Sequence, residues 1–118
     1  MIDKTLIFDF DGVIHSYASG WQGAEVANDP PVPGIRQAIK QIREAGYRVV
    51  VVSSRCHQEG GIECIRKYLK VYAIEVDDVC RDKVPALLTI DDRAICFDGD
   101  TEGLLKKVQG FKPWYQEE

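Results

Sequence analysis

Thr5-Leu6-Ile7-Phe8-Asp9-Phe10-Asp11-Gly12-Val13 is an apolar run that ends in two acids and a glycine. Unbroken apolar residues closed by a turn former predict a buried strand over Thr5 to Phe10 with charge at its carboxyl end. Outward from it, short apolar runs alternate with amphipathic stretches, the pattern of an open parallel α/β sheet. Tyr47 to Ser53 is the second strand, and its four consecutive valines imply burial on both faces. Val76 to Val79, Leu87 to Ile90 and Ala94 to Phe97 follow as shorter candidates, making about five strands in all.

Between the strands the period changes from two to 3.6. Ile35, Ala38, Ile39 and Ile42 recur at i, i+3, i+4 and i+7, which predicts a helix from about Gly34 to Ala45, with Gly46 as its stop. Gly60 and Gly61 open a second helix with Ile62, Ile65, Leu69 and Tyr72 on one side. Thr101 is placed to cap a third, carrying Leu104, Leu105 and Val108 and closed by Gly110. Residues 12–33, rich in Gly, Pro, Ser and aromatics, read as a short flap rather than a domain. The tail from Phe111 to Glu118 keeps Trp114 and Tyr115 for packing on the body or on a partner.

A chain of 118 residues suits one domain, 1–118, able to bury roughly two-thirds of its unfolded surface. Its net charge of -4 disfavours general nucleic-acid binding, which needs clustered Lys and Arg, though local basic patches stay open. No strictly apolar run exceeds the four of Val49 to Val52, so no membrane span is expected. Met1-Ile2-Asp3-Lys4 lacks the long apolar stretch of a secretory signal. Cys56, Cys64, Cys80 and Cys96 form no C-x-x-C pair and no zinc spacing with His15 or His57. Free thiols in a cytoplasmic setting are the expectation.

Functional groups of a parallel sheet collect beyond the carboxyl ends of its strands. Those ends here read Asp9-Phe10-Asp11-Gly12, Ser53-Ser54-Arg55 and Asp91-Asp92-Arg93, with Lys83 in the loop before the last. Two carboxylates about 4 Å apart repel by roughly 4 kcal/mol at an effective dielectric near 20. Four cannot stay ionised together without a cation, and hard oxygen ligands suggest Mg²⁺ rather than zinc or copper. Arg55 is placed to clamp a second anionic group of a substrate or to pair with a neighbouring acid. Trp21 either stacks on a ring or packs the flap onto the sheet.

This ordered set resembles the haloacid dehalogenase (HAD) superfamily, mostly Mg²⁺-dependent phosphatases. Asp9-Phe10-Asp11-Gly12-Val13 fits its first motif, Val49 to Ser53 its second, Lys83 its third, and Asp91-Asp92 its fourth. The segments Asp9 to His15 and Ile90 to Arg93 also look like those of small bacterial and phage members. The resemblance implies a three-layer Rossmann-like fold without a cap domain. It implies that Asp9 is the nucleophile of a phosphate-monoester hydrolysis through an aspartyl-phosphate. Asp11 would be the acid and then the base. Asp9, the Asp11 carbonyl, Asp91 and Asp92 would hold Mg²⁺. Ser53 and Lys83 would bind the phosphoryl group, with Ser54 and Arg55 beside them.

Lys83 precedes Asp91 by eight residues, so the family's helix between the third and fourth motifs has to shrink to a turn around Val84 to Ala86. An uncovered site admits a small phosphorylated molecule or an exposed macromolecular phosphate, unless a second copy supplies a lid. Two other readings use the same residues. One is a binding or regulatory protein on a HAD scaffold. The other is a receiver-type phosphoacceptor domain, which would place its acidic pair on the first strand rather than after Lys83.

Overall fold

Val49, Val50 and Val51 are completely shielded from solvent, and this centre of the chain organises the rest. In the computed structural model, which describes residues 4–116, they form β2 (Arg48–Val52), parallel to β1 (Thr5–Phe8). β3 (Asp78–Cys80) pairs with the far side of β2, and β4 (Leu88–Ile90) with the far side of β1. The order is β3-β2-β1-β4, all parallel. All four residues of β1 are buried, as an unbroken apolar strand in mid-sheet requires.

Leu6, Phe8, Val49 and Val51 point to one face, where Ile39 of α1 (Ile35–Glu44) and Ile65, Tyr68 and Leu69 of α2 (Gly61–Val71) cover them. The stripe of α1 packs as its spacing predicts, with Ile35 and Ile42 flanking Ile39. On α2, Tyr68 takes the buried place expected of Tyr72, which is 38% exposed and rests against Tyr68 at 4.7 Å. α3 (Leu104–Gln109) buries none of its residues.

Among the described residues the sheet has four strands, not about five. Residues 94–97 form no strand, and Ile95 and Phe97 are exposed. The Asp91 carboxylate accepts the Arg93 N–H at 2.9 Å, turning the chain away from the sheet just after β4. The cap of α3 also differs from expectation. Its N-cap residue is Gly103, with no side-chain cap, and Asp100 rather than Thr101 accepts the Gly103 N–H, at 3.0 Å. No helix interrupts residues 81–87, consistent with the short spacing between Lys83 and Asp91.

Residues 12–33 form an irregular flap pinned by bridges from His15 to Asp11 and to Pro31. All four cysteines are free. Among the described residues no helix is long and apolar enough to cross a membrane. The readings made on Met1 to Asp3 and on the last two tail residues lie outside the described residues.

Candidate active site

β2 and β3 lie to one side of β1 and β4 to the other, so the chain changes direction across the sheet beside β1. At such a switch point the strand ends splay and leave a crevice. Asp9 follows β1 directly, and its N–H still bonds the Ile90 carbonyl at 2.9 Å, which fixes its backbone against the end of β4. Asp91 and Asp92 follow β4. One carboxylate oxygen from each of Asp9, Asp91 and Asp92 lies within 4.8 Å of the others.

That crowding shows in the protonation of Asp9. Burial, a hydrogen bond shared with Asp92 and the negative charge of Asp91 push its carboxyl up to about 8, against the pull of the Phe10 backbone N–H. The Asp92 side chain is only 2% exposed, and its Oδ1 is buried with no hydrogen-bond partner. It lies so close to Gly12 that a β-carbon there would collide with Oδ2. Gly12 also holds φ at +81°, so both its conformation and its bareness serve the approach of this acid. The three carboxylates offer only hard oxygen donors, one of them an orphan, and such a set fits a small divalent cation.

An open cavity of about 500 Å³ lies beside them, bordered by Asp9, Ser53, Lys83, Asp91 and Arg93. Each of the four sequence motifs therefore contributes a side chain to one groove. Ser53 is buried, and its Oγ accepts the Arg55 N–H at 3.2 Å, which leaves the hydroxyl proton available to an oxygen in the groove. Lys83 is exposed and has no ion-pair partner among the described residues. The loop that carries it is tethered by Asp82 to His57 at 3.3 Å. Ser54, at the mouth, is exposed.

Asp11 and Arg55 pair with each other, one of the two placements that the sequence leaves open for Arg55. Arg55 is completely buried. Its Nε reaches Asp11 Oδ2 at 2.7 Å, and its Nη2 reaches Asp11 Oδ1 at 3.0 Å. Its Nη1 donates to the flap carbonyls of Gly23, Ala24 and Val26 at 2.9–3.0 Å. The Phe10 ring at 5.5 Å and the Trp21 ring at 4.9 Å flank the guanidinium. Arg55 is thus spent inside the protein, holding Asp11 and the flap together rather than facing the groove. Trp21 packs the flap onto Arg55.

His15 also donates to Asp11 Oδ1, at 2.8 Å. Burial would raise the Asp11 carboxyl, but the donors from His15 and Arg55 outweigh it and hold the group below the usual carboxylate range. Asp9 and Asp11, two residues apart, are set to opposite protonation states. The sequence reading gave His15 no role at this site. Its burial comes from tertiary packing that no local pattern reports.

The tail reaches the same end of the sheet. Trp114 Nε1 donates to the Gly12 carbonyl at 2.7 Å, and Arg93 donates to the Tyr115 hydroxyl at 3.1 Å. Tyr115 meets Tyr17 of the flap edge-on at 6.0 Å.

No family model matches the chain, and no curated protein does. Among solved structures, 90% of the chain is similar to a chain in the Pnkp1/Rnl/Hen1 complex, at 21% identity and a TM-score of 0.56. A chain of the Pnkp1/Rnl/Hen1 RNA repair complex matches over 91% of this one, at 22% identity and a TM-score of 0.53. The chain spans about a third of each, 33% and 30%. A conserved protein from Bacteroides thetaiotaomicron matches end to end, covering 98% of this chain and 99% of that one, at 21% identity and a TM-score of 0.59. At such identities the likeness defines the fold: a parallel α/β sheet compatible with the Rossmann-like class.

Proposed function

We propose that the chain is a HAD-type, Mg²⁺-dependent phosphatase that hydrolyses a phosphate monoester through an aspartyl-phosphate. The observation that carries this reading is the meeting of Asp9, Asp91 and Asp92 within 4.8 Å, beside a groove that also takes in Ser53 and Lys83. Asp9, Asp91 and Asp92, with the Asp11 carbonyl, would hold the cation, which when bound supplies charge neutralisation between the acids and an incoming phosphate.

The chain's own groups do the rest. Lys83 and the Ser53 hydroxyl bind the phosphoryl oxygens and offset their charge. Asp9, ionised, attacks phosphorus in line; its Oδ–P bond forms as the P–O bond to the leaving group breaks. Asp11, ionised at rest, takes up a proton from solvent as the ester binds, gives it to the departing oxygen and is left again as the anion. It then takes a proton from a water that attacks the same phosphorus. The Oδ–P bond breaks, orthophosphate leaves, Asp9 is again a free carboxylate, and Asp11 returns its proton to solvent. The resting Asp11, held ionised by Arg55 and His15, is already in the form that the second step needs.

The substrate is a phosphorylated small molecule or an exposed macromolecular phosphate, since residues 12–33 add a flap and no cap. Two of the similar structures come from an RNA repair complex, which makes nucleic-acid ends and phosphopeptides worthwhile members of a substrate panel, although the net charge of -4 favours neither. Release of phosphate from an aryl phosphate, with Mg²⁺ and with chelator, tests the reading. Activity in wild type with Mg²⁺ and its loss in Asp9→Asn are expected. Equal rates in the two proteins would remove Asp9 as nucleophile, and no release from any ester would favour a binding role for the same scaffold.

A further inference from the structure

The hydrolysis gives no task to His15, yet few side chains here are held so completely. It is 1% exposed. Phe10 stacks on its ring at 5.5 Å, and Tyr68 and Tyr17 meet it edge-on at 5.3 and 6.1 Å. Its Nε2 accepts the backbone N–H of Asp29 at 3.2 Å. A nitrogen that accepts carries no proton, so the ring proton sits on Nδ1 and is donated to Asp11 Oδ1. The Asp29 carboxylate oxygen, 3.6 Å from Nε2, is too far for a hydrogen bond.

Asp29 is itself fixed. Its carboxylate accepts from Ser19 N and Oγ at 2.8 and 2.6 Å, and its carbonyl accepts the Tyr68 hydroxyl at 2.8 Å. The flap thus carries a chain of fixed partners from α2 through Asp29 and His15 to Asp11, and Arg55 meets the same carboxylate from the other side.

A carboxylate has about four lone-pair positions. His15 Nδ1 and Arg55 Nη2 occupy two on Oδ1, and Arg55 Nε takes one on Oδ2. One position on Oδ2 is left. We propose that His15 is a positioning residue for the hydrolysis: with Arg55 it locks the Asp11 carboxylate so that proton transfer runs through that single Oδ2 position. This rests on the phosphatase reading above. It predicts that loss of the His15 donor opens a second position, on Oδ1, beside the bidentate Arg55, and harms the proton-transfer steps rather than substrate binding.

The test compares wild type, His15→Ala and His15→Asn on phosphate esters of graded leaving-group acidity, with the tautomer of His15 read in wild type by ¹⁵N NMR. Asn places an amide N–H where Nδ1–H stands. The expected spectrum has the ring proton on Nδ1. His15→Ala should lose on the order of 10–100-fold in kcat on alkyl phosphates, far less on nitrophenyl phosphate, with KM nearly unchanged. His15→Asn should recover most of that loss. A ring protonated at Nε2 would overturn the proposal, as would equal losses on every ester that track the folded fraction of each variant. Wild type inert on all esters would instead bring down the phosphatase reading and, with it, the reaction that His15 is held to serve.

Discussion

Asp9 keeps a proton that an isolated aspartate loses, and Asp11, two residues on, is held ionised. The difference comes from neighbours: acids crowd the first, while an arginine and a histidine donate to the second. In the proposed hydrolysis a general acid at Asp11 would matter most where the departing oxygen is a poor leaving group. Asp11→Asn should therefore slow alkyl phosphates by on the order of 10²–10⁴-fold and nitrophenyl phosphate much less; equal losses would take Asp11 out of proton transfer. Gly12→Ala sets a methyl into the Asp92 carboxylate at a left-handed φ, so denaturant melts should show a cost of about 1–3 kcal/mol. That acids stand at these strand ends was legible from the sequence. Which of its two readings Arg55 takes was not, because its pairing with Asp11 joins residues 44 positions apart and leaves no local trace.

Among the elements, what could be read was what repeats. The stripe of α1 and the valines of β2 announce themselves because each buried face has a fixed period. The run from Ala94 to Phe97 has the composition of a strand but no partner to pair with, and pairing, not propensity, makes a strand. β4 is three residues long, and the Asp91 turn sends the chain off before a neighbour can align. The contrast between elements is measurable. Ile39→Ala on α1 removes a fully enclosed side chain and should cost about 2–5 kcal/mol. Leu105→Ala on α3, where that leucine is 67% exposed, should stay within about 0.5 kcal/mol. Denaturation midpoints of the two variants check both; a large loss at Leu105 would mean that α3 is packed in solution. Arg55→Lys should cost about 3–5 kcal/mol despite keeping the charge, since one ammonium cannot satisfy Asp11 and three flap carbonyls together.

At the scale of the whole molecule, the fold brings like charges together and stability has to reflect it. Folded Asp9 binds its proton up to about pH 8, whereas the unfolded chain releases it near 3.8. The folded form therefore holds the extra proton through that window, and metal-free stability falls as pH rises from about 4 to about 8. Asp11 works in the opposite sense: its stabilisation is present above the ordinary aspartate range and is lost as pH falls through its lowered value. In chelator, urea midpoints across that range should decline for wild type and stay flatter for Asp9→Asn. A cation that takes the place of the proton should reverse the decline, so calorimetric titration of Mg²⁺ into the protein at neutral pH tests the central claim most directly. The account predicts a single site whose heat varies with the buffer, because uptake expels the Asp9 proton, and whose binding is lost in Asp92→Asn. No uptake of Mg²⁺, or uptake unchanged by that substitution, would contradict it.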